Sequence, residues 1–277
     1  MARGRRERGP GGGARGARDE VQLLYGIHPV LEALRARRRR LLALRLRSGS
    51  ARPELAPVLE AARVAGVRVE EVSAGELAAG LGEGVNHQGV ALAAGPLPLV
   101  QLAELCEAGR APRTLVALDQ VEDPQNLGAI ARVAEAAGVS GLLLTDRHSP
   151  PLSPAVARAS AGAIEWLATA RVTNLVRALK QLKSKGFWIF GAEVDAPDSL
   201  FELPERVVRG ERVVVLGAEG RGLRPGVLAA VDHRVRIPLA GRVASLNVAS
   251  AAAVVLFELA RRSRPAGEGG PRPAEPA

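Results

Sequence analysis

The chain has 277 residues, 47% of them hydrophobic but only 3% aromatic, one cysteine, and a formal net charge of +9. That length allows one or two domains around an aliphatic core. The single Cys106 excludes an internal disulfide and a Cys-based zinc site, and no apolar run approaches the roughly 20 residues that span a bilayer. The charge is uneven: residues 1–20 hold six Arg against three acids, residues 35–52 eight Arg and no acid, and residues 261–277 four Arg against two Glu. Eight arginines with no acid among them predict a surface that tracks the phosphates of a nucleic acid.

In chain order, residues 1–20 mix Arg with Gly and acids, which fits a disordered basic tail better than a targeting helix, so a cytoplasmic protein is expected. A helix is predicted over Val30 to Arg38, a strand over Leu41 to Leu46, a Pro53-initiated helix to Val64, and a strand over Val67 to Val72. A helix capped by Ser73 and Glu76 and a strand over Gly89 to Ala94 close a small α/β/α unit, residues 21–94. Residues 95–112, opening on Gly95-Pro96-Leu97-Pro98, read as a linker, with Cys106 an apolar filler on a helix around Leu102 to Glu107.

A second alternation spans 113–264. The continuous apolar strand Thr114 to Leu118 has the pattern of a strand buried on both faces of a parallel sheet. A helix from Leu127 to Ala137 ends at Gly138. Strand Gly141 to Thr145, helical turns over Pro154 to Ser160, a Thr173-started helix to Lys185, and strands Phe187 to Ala192 and Arg212 to Leu216 follow. A short helix from Pro225, strand Arg234 to Ile237 and a helix Val248 to Arg261 complete a mostly parallel sheet flanked by helices. Residues 265–277 are Pro/Gly/Glu-rich and read as a disordered tail.

Three strand–loop–helix passages stand out, because α/β proteins build ligand sites at the carboxyl ends of strands. In Leu118 to Arg132, Asp123-Pro124 makes a tight turn, Asn126 is placed to cap the helix, and Gly128 admits a close neighbour. Arg132 falls within the first two turns, where a cation opposes the helix dipole and so calls for another reason. In Val213 to Pro225, the loop Gly217-Ala218-Glu219-Gly220-Arg221-Gly222 lacks the Lys-Ser or Lys-Thr of a phosphate-binding P-loop. In Ile237 to Glu258, Ser245, Leu246 and Asn247 precede a helix of small residues, Ala249 to Ala253. His28, His87, His148 and His233 lie at no ligand spacing, and neither a His nor an acid neighbours Ser245, so neither a metal site nor a hydrolase triad is predicted.

Together these passages resemble the three signature motifs of the SpoU (TrmH) family of RNA ribose 2′-O-methyltransferases, within the SPOUT superfamily. Asn126 and Arg132 match the first motif, Glu219 and Gly220 the second, and Pro238, Ser245, Leu246 and Asn247 the third. Tyr25 to Leu34 and His87 to Ala91 resemble the ribosomal-protein-like RNA-binding domain that precedes the catalytic domain in members acting on a guanosine of 23S rRNA. The resemblance implies an α/β fold with a C-terminal trefoil knot, a homodimer, and S-adenosylmethionine held mainly by main-chain atoms of Gly217, Ile237 and Leu246, with Leu216, Ala218, Leu239 and Ser245 beside them. It requires neither metal nor membrane. A tRNA 2′-O-methyltransferase, an antibiotic-resistance rRNA methyltransferase and a non-catalytic RNA-binding or ribosome-assembly protein remain alternatives, whereas the late position of the glycine loop disfavours a Rossmann-type methyltransferase.

The resemblance makes Arg132 the catalytic residue. A guanidinium is a permanent donor and a poor base, so its expected role is to orient the ribose and adjacent phosphate and to stabilise alkoxide character on the 2′-oxygen. Asn126 would hold Arg132 or the ribose, Glu219 would fix Arg132 or the loops, and Ser245 and Asn247 would shape the pocket.

Overall fold

The computed structural model describes residues 20–49, 53–82, 84–109, 111–218 and 220–263. The predicted tails, Arg52 and Glu219 therefore lie outside the described residues, apart from Glu20 at the end of the first tail.

The N-terminal unit contains strand β1 (Gln22–Tyr25), helix α1 (Ile27–Ala36), β2 (Leu41–Arg47), α2 (Ala56–Val64), β3 (Arg68–Val72), α3 (Ala74–Ala79) and β4 (Val90–Ala94). Its sheet has the order β1-β4-β2-β3, with β4 antiparallel to both neighbours and β2 parallel to β3. The Ser73–Glu76 capping box forms at the start of α3: Ser73 Oγ accepts from the Glu76 amide, and the Glu76 carboxylate accepts from the Ser73 amide at 2.8 Å.

Residues 95–112 carry a helix of their own, α4 (Leu102–Glu107), whose Leu105 and Cys106 are buried. Val100 bridges Ala170, so this stretch lies along the second sheet. There follow β5 (Thr114–Asp119), α5 (Pro124–Ala136), β6 (Gly141–Thr145), α6 (Pro154–Ala159), β7 (Ala168–Val172), α7 (Leu175–Ser184), β8 (Trp188–Ala192) and β9 (Asp198–Ser199). The chain ends with α8 (Glu205–Val208), β10 (Arg212–Gly217), α9 (Pro225–Leu228), β11 (His233–Arg236) and α10 (Val248–Ser263).

The seven strands of the second sheet have the order β7-β6-β5-β10-β8-β11-β9, and every pairing is parallel. Alternate residues point to opposite faces of a strand, and here both faces are covered. Val116, Leu118, Leu142, Leu144, Val214 and Leu216 join the core under α5 and α10, while Leu115, Ala117, Leu143, Val213 and Val215 join a second core with α7 and α9. The first core runs on without a break into the N-terminal unit, through Leu24, Val30, Leu34 and Leu92.

Three strands, β1, β7 and β9, were not expected from the sequence. All three lie at the margins of their sheets, and β9 has only two residues, too short for a hydrophobic period to register. The helix read from Thr173 is capped by Asn174, whose Oδ1 accepts from the Arg177 amide at 3.0 Å. At the start of β10, Arg212 donates to Thr114 Oγ1 at 2.8 Å and to the Val208 carbonyl. Burial pushes its guanidinium down to about 10, which still leaves it charged at neutral pH.

The arginine-rich segment is the main correction. Arg39 is buried, and its Nε donates to both Glu165 carboxylate oxygens at 3.0 and 2.9 Å. Its Nη1 donates to Gln22 Oε1 and the Gly95 carbonyl. Arg38 donates to the carbonyls of Glu165 and Leu167, Arg35 pairs with Glu32, and Arg45 pairs with Glu70. The acids missing from the segment come from elsewhere in the chain. Much of this charge therefore holds the protein together, and only part of it is open to a polyanion.

Among the described residues no helix is long and apolar enough to cross a membrane.

Candidate functional site

The passages singled out in the sequence converge at the carboxyl ends of β5 and β10. These strands are adjacent at the centre of the sheet, with Leu216 beside Leu118 and Gly217 beside Asp119. From β5 the chain runs outward to β6 and β7, while β8 and β11 lie beyond β10. The crevice at such a reversal is where open parallel sheets bind ligands.

The loop after β10 is held by residues that the sequence did not single out. Asp119, the last residue of β5, is fully buried. Its carboxylate accepts from the Arg224 amide at 2.9 Å, and from Nε and Nη2 of the same arginine at 2.7 Å each. The loop also folds on itself. Ala218 bridges Gly222, and a Cβ on Gly217 would lie 2.3 Å from the Gly222 carbonyl carbon and oxygen, so only glycine fits there. A carboxylate closing an apolar strand beside a glycine loop was the available sign of Asp119.

Helix α5 begins one turn earlier than expected. Asp123 is its N-cap, accepting from the Gln125 amide at 2.9 Å, and Pro124 takes the first helical position. Asn126 is consequently inside the helix rather than capping it. Its Oδ1 accepts from Asn247 Nδ2 at 3.0 Å, across 121 positions of sequence. Asn247 in turn caps α10, its Oδ1 accepting from the Ala249 amide at 2.9 Å and the Ser250 amide at 3.4 Å. With the oxygen committed to the helix, the amide nitrogen faces Asn126. First and third motifs thus meet through one oriented side chain.

Gly128 permits the packing beneath this pair, since a Cβ there would sit 2.3 Å from Ala159 Cβ. Arg132 lies in the third turn of α5, so the dipole argument for its placement loses force, the effect being confined to the first turn. It is exposed and forms no hydrogen bond or ion pair with a described residue. Six residues separate it from Asn126, about 9 Å along the helix axis and about 120° around it. The two side chains therefore occupy different faces.

The remaining candidates fall into two groups. Leu216 is core, 2% exposed, and can meet a ligand only through its main chain, while Gly217, Ala218 and Ile237 are half-buried. Pro238 to Asn247 are exposed, including Leu239, Ser245 and Leu246. From residue 238 to 246, no main-chain group hydrogen-bonds to a described residue. This segment carries the chain from β11 back past β8 and β10 to α10, which packs on α5.

Comparison with known proteins bears on this arrangement. Residues 113–257 match the model of the SpoU rRNA Methylase family, and residues 23–100 match RNA 2′-O ribose methyltransferase substrate binding. The chain is 35% identical over 246 residues to the 23S rRNA (guanosine-2′-O-)-methyltransferase RlmB of Pseudomonas putida, covering 88% of this chain and 97% of that protein. It is 37% identical over 245 residues to the RlmB of Pseudomonas aeruginosa, covering 87% and 97%. Among solved structures, an RNA 2′-O ribose methyltransferase superposes with a TM-score of 0.71 at 27% identity, over 89% of each chain. An AdoMet-bound rRNA methyltransferase from Sinorhizobium meliloti gives 0.71 at 26% identity, over 87% of each. The chain belongs to the SpoU rRNA methylase family.

Proposed function

We propose that this protein transfers a methyl group from S-adenosylmethionine to the 2′-hydroxyl of a guanosine ribose in 23S rRNA. The observation that carries the reading is the meeting of two family motifs, through Asn126 and Asn247, at the carboxyl end of the central strands. Relatives acting on 23S rRNA match along the N-terminal unit as well as the catalytic one, which favours rRNA over tRNA as substrate.

The residues present fit the cofactor. Main-chain donors and acceptors of 238–246 are without partners among the described residues, and exposed Leu239 and Leu246 offer apolar surface beside them. Main-chain atoms of Leu216, Gly217, Ala218, Ile237, Leu239, Ser245 and Leu246 would hold it. When bound, S-adenosylmethionine supplies an electrophilic methyl on a sulfonium, with a neutral thioether to leave.

The protein's task is then the nucleophile. Arg132, a permanent donor with no partner among the described residues, orients the ribose and adjacent phosphate and stabilises charge developing on the 2′-oxygen. The proton leaves to water or phosphate. Asn126, Asn247 and Ser245 shape the rim of the pocket, and Glu219 serves in holding Arg132 or the loops. The same reading includes a trefoil knot closed by residues 237–258, a homodimer, an RNA-binding domain over 21–94, a linker over 95–112, a catalytic domain over 113–264 and a cytoplasmic place of action. Support for the knot comes from the return of the chain past β10 to reach α5.

The test is incubation with labelled cofactor and rRNA or tRNA from a strain lacking the enzyme, followed by mapping of the modified ribose. Label on tRNA alone would overturn the substrate, and no heat on calorimetric titration with S-adenosylmethionine would leave only a binding protein. Arg132→Ala should slow transfer by about 10²- to 10³-fold with cofactor affinity nearly unchanged. Full activity in Arg132→Lys would refute the bidentate orienting role.

A further inference from the structure

The chain has two tryptophans, and one of them, Trp166, is 49% exposed at the seam between the N-terminal unit and the second sheet. A half-exposed indole leaves unused the apolar area that a partner could bury. Its setting is unusually rigid for a surface side chain. The indole Nε1 donates to Glu32 Oε2 on α1 at 2.8 Å, which fixes the ring from one edge. The carbonyls on either side of it, those of Glu165 and Leu167, both accept from Arg38 Nη1, at 3.1 and 2.6 Å. The Glu165 side chain is locked in turn by buried Arg39.

Basic groups lie beside it: Arg38, through the bonds just given, and Arg35, which pairs with Glu32 yet keeps half its side chain exposed. An aromatic face held in place among arginines is the chemistry that receives an unpaired nucleobase and its phosphate.

We propose that Trp166 is a preformed stacking platform for one unpaired base of the RNA substrate, with Arg35 on a neighbouring phosphate. The proposal rests on the RNA methyltransferase reading and adds to it a specific place where the RNA is held. Because Trp166 precedes β7 at the amino end of that strand, it lies at the opposite edge of the sheet from Asn247. The bound RNA must therefore extend along the seam, and the platform recognises a single-stranded nucleotide remote from the one methylated.

The test uses the full-length protein and two probes, a 12-nucleotide oligoadenylate and an RNA duplex of the same length. In a Trp188→Phe background Trp166 is the only tryptophan, and oligoadenylate should quench its fluorescence while the duplex should not. Trp166→Ala should weaken oligoadenylate binding about 5- to 150-fold, and Trp166→Phe, which keeps a ring but loses the bond to Glu32, should retain most of the affinity. Equal quenching by both probes, or unchanged affinity in Trp166→Ala, overturns the platform and makes Trp166 a strut between the two units. Wild-type methylation of 23S rRNA, measured alongside, separates that failure from failure of the enzymatic reading.

Discussion

Arg39 and Arg132 are the same chemical group in opposite settings. Arg39 stands in the densest run of positive charge in the chain, yet its side chain and that of its partner Glu165 are wholly buried. Arg132 is a solitary cation on a mostly apolar helix, yet it is exposed and unpaired among the described residues. Density of charge along a sequence therefore says little about where that charge is usable. What decides is whether a carboxylate from another part of the chain has been brought to meet it, as Glu165 is, 126 positions away.

The comparison breaks most visibly at the buried pair. Glu165→Ala would leave a guanidinium desolvated and uncompensated, and should cost about 3–5 kcal/mol in urea unfolding. Replacing both partners by hydrophobic residues of similar volume should be near neutral by the same measurement. A loss below about 1 kcal/mol in Glu165→Ala would mean that water reaches Arg39 and that the seam is looser than its geometry. Arg132→Ala should behave in reverse. Its stability should stay within about 0.5 kcal/mol of wild type, while the rate of methyl transfer falls by about 10²- to 10³-fold. A variant equally stable and equally active would remove Arg132 from the site.

The same contrast explains what the sequence could disclose. Buried parallel strands announce themselves as apolar runs, so β5, β6, β8 and β10 were legible to within a residue or so. The strands β1, β7 and β9 were not, because marginal strands carry weaker patterns. The three loops were legible as strand–glycine–helix passages, and the resemblance gave them a meaning. The pairings between them were not legible. Nothing local to Asn126 says that it gives up capping to Asp123 and meets Asn247, and nothing local to Asp119 says that Arg224 will close over it. Pairings of this kind are made by topology, which brings together residues 105 and 121 positions apart.

A smaller effect separates the two duties of Asn247. Asn247→Ala removes the cap of α10, worth about 0.5–2 kcal/mol, together with the bond to Asn126. Asn247→Asp keeps an acceptor for the Ala249 amide but can no longer donate to Asn126 Oδ1. The aspartate variant should therefore unfold at nearly the wild-type urea concentration and still transfer methyl slowly. If it recovers both stability and rate, Asn247 is a helix cap and nothing more, and its bond to Asn126 plays no part in transfer.

The smallest effect lies beside Arg39 itself. Arg40 is its immediate neighbour, exposed and without a side-chain partner among the described residues, so the pair compares buried and open charge one position apart. Arg40→Ala should leave unfolding unchanged and weaken RNA binding modestly. The diagnostic quantity is the slope of log affinity against log salt, which should become shallower by about one unit for each phosphate that is no longer neutralised. An unchanged slope would mean that Arg40 meets no phosphate. Phosphates near the seam would then have to be met by Arg35, half of whose side chain stays exposed.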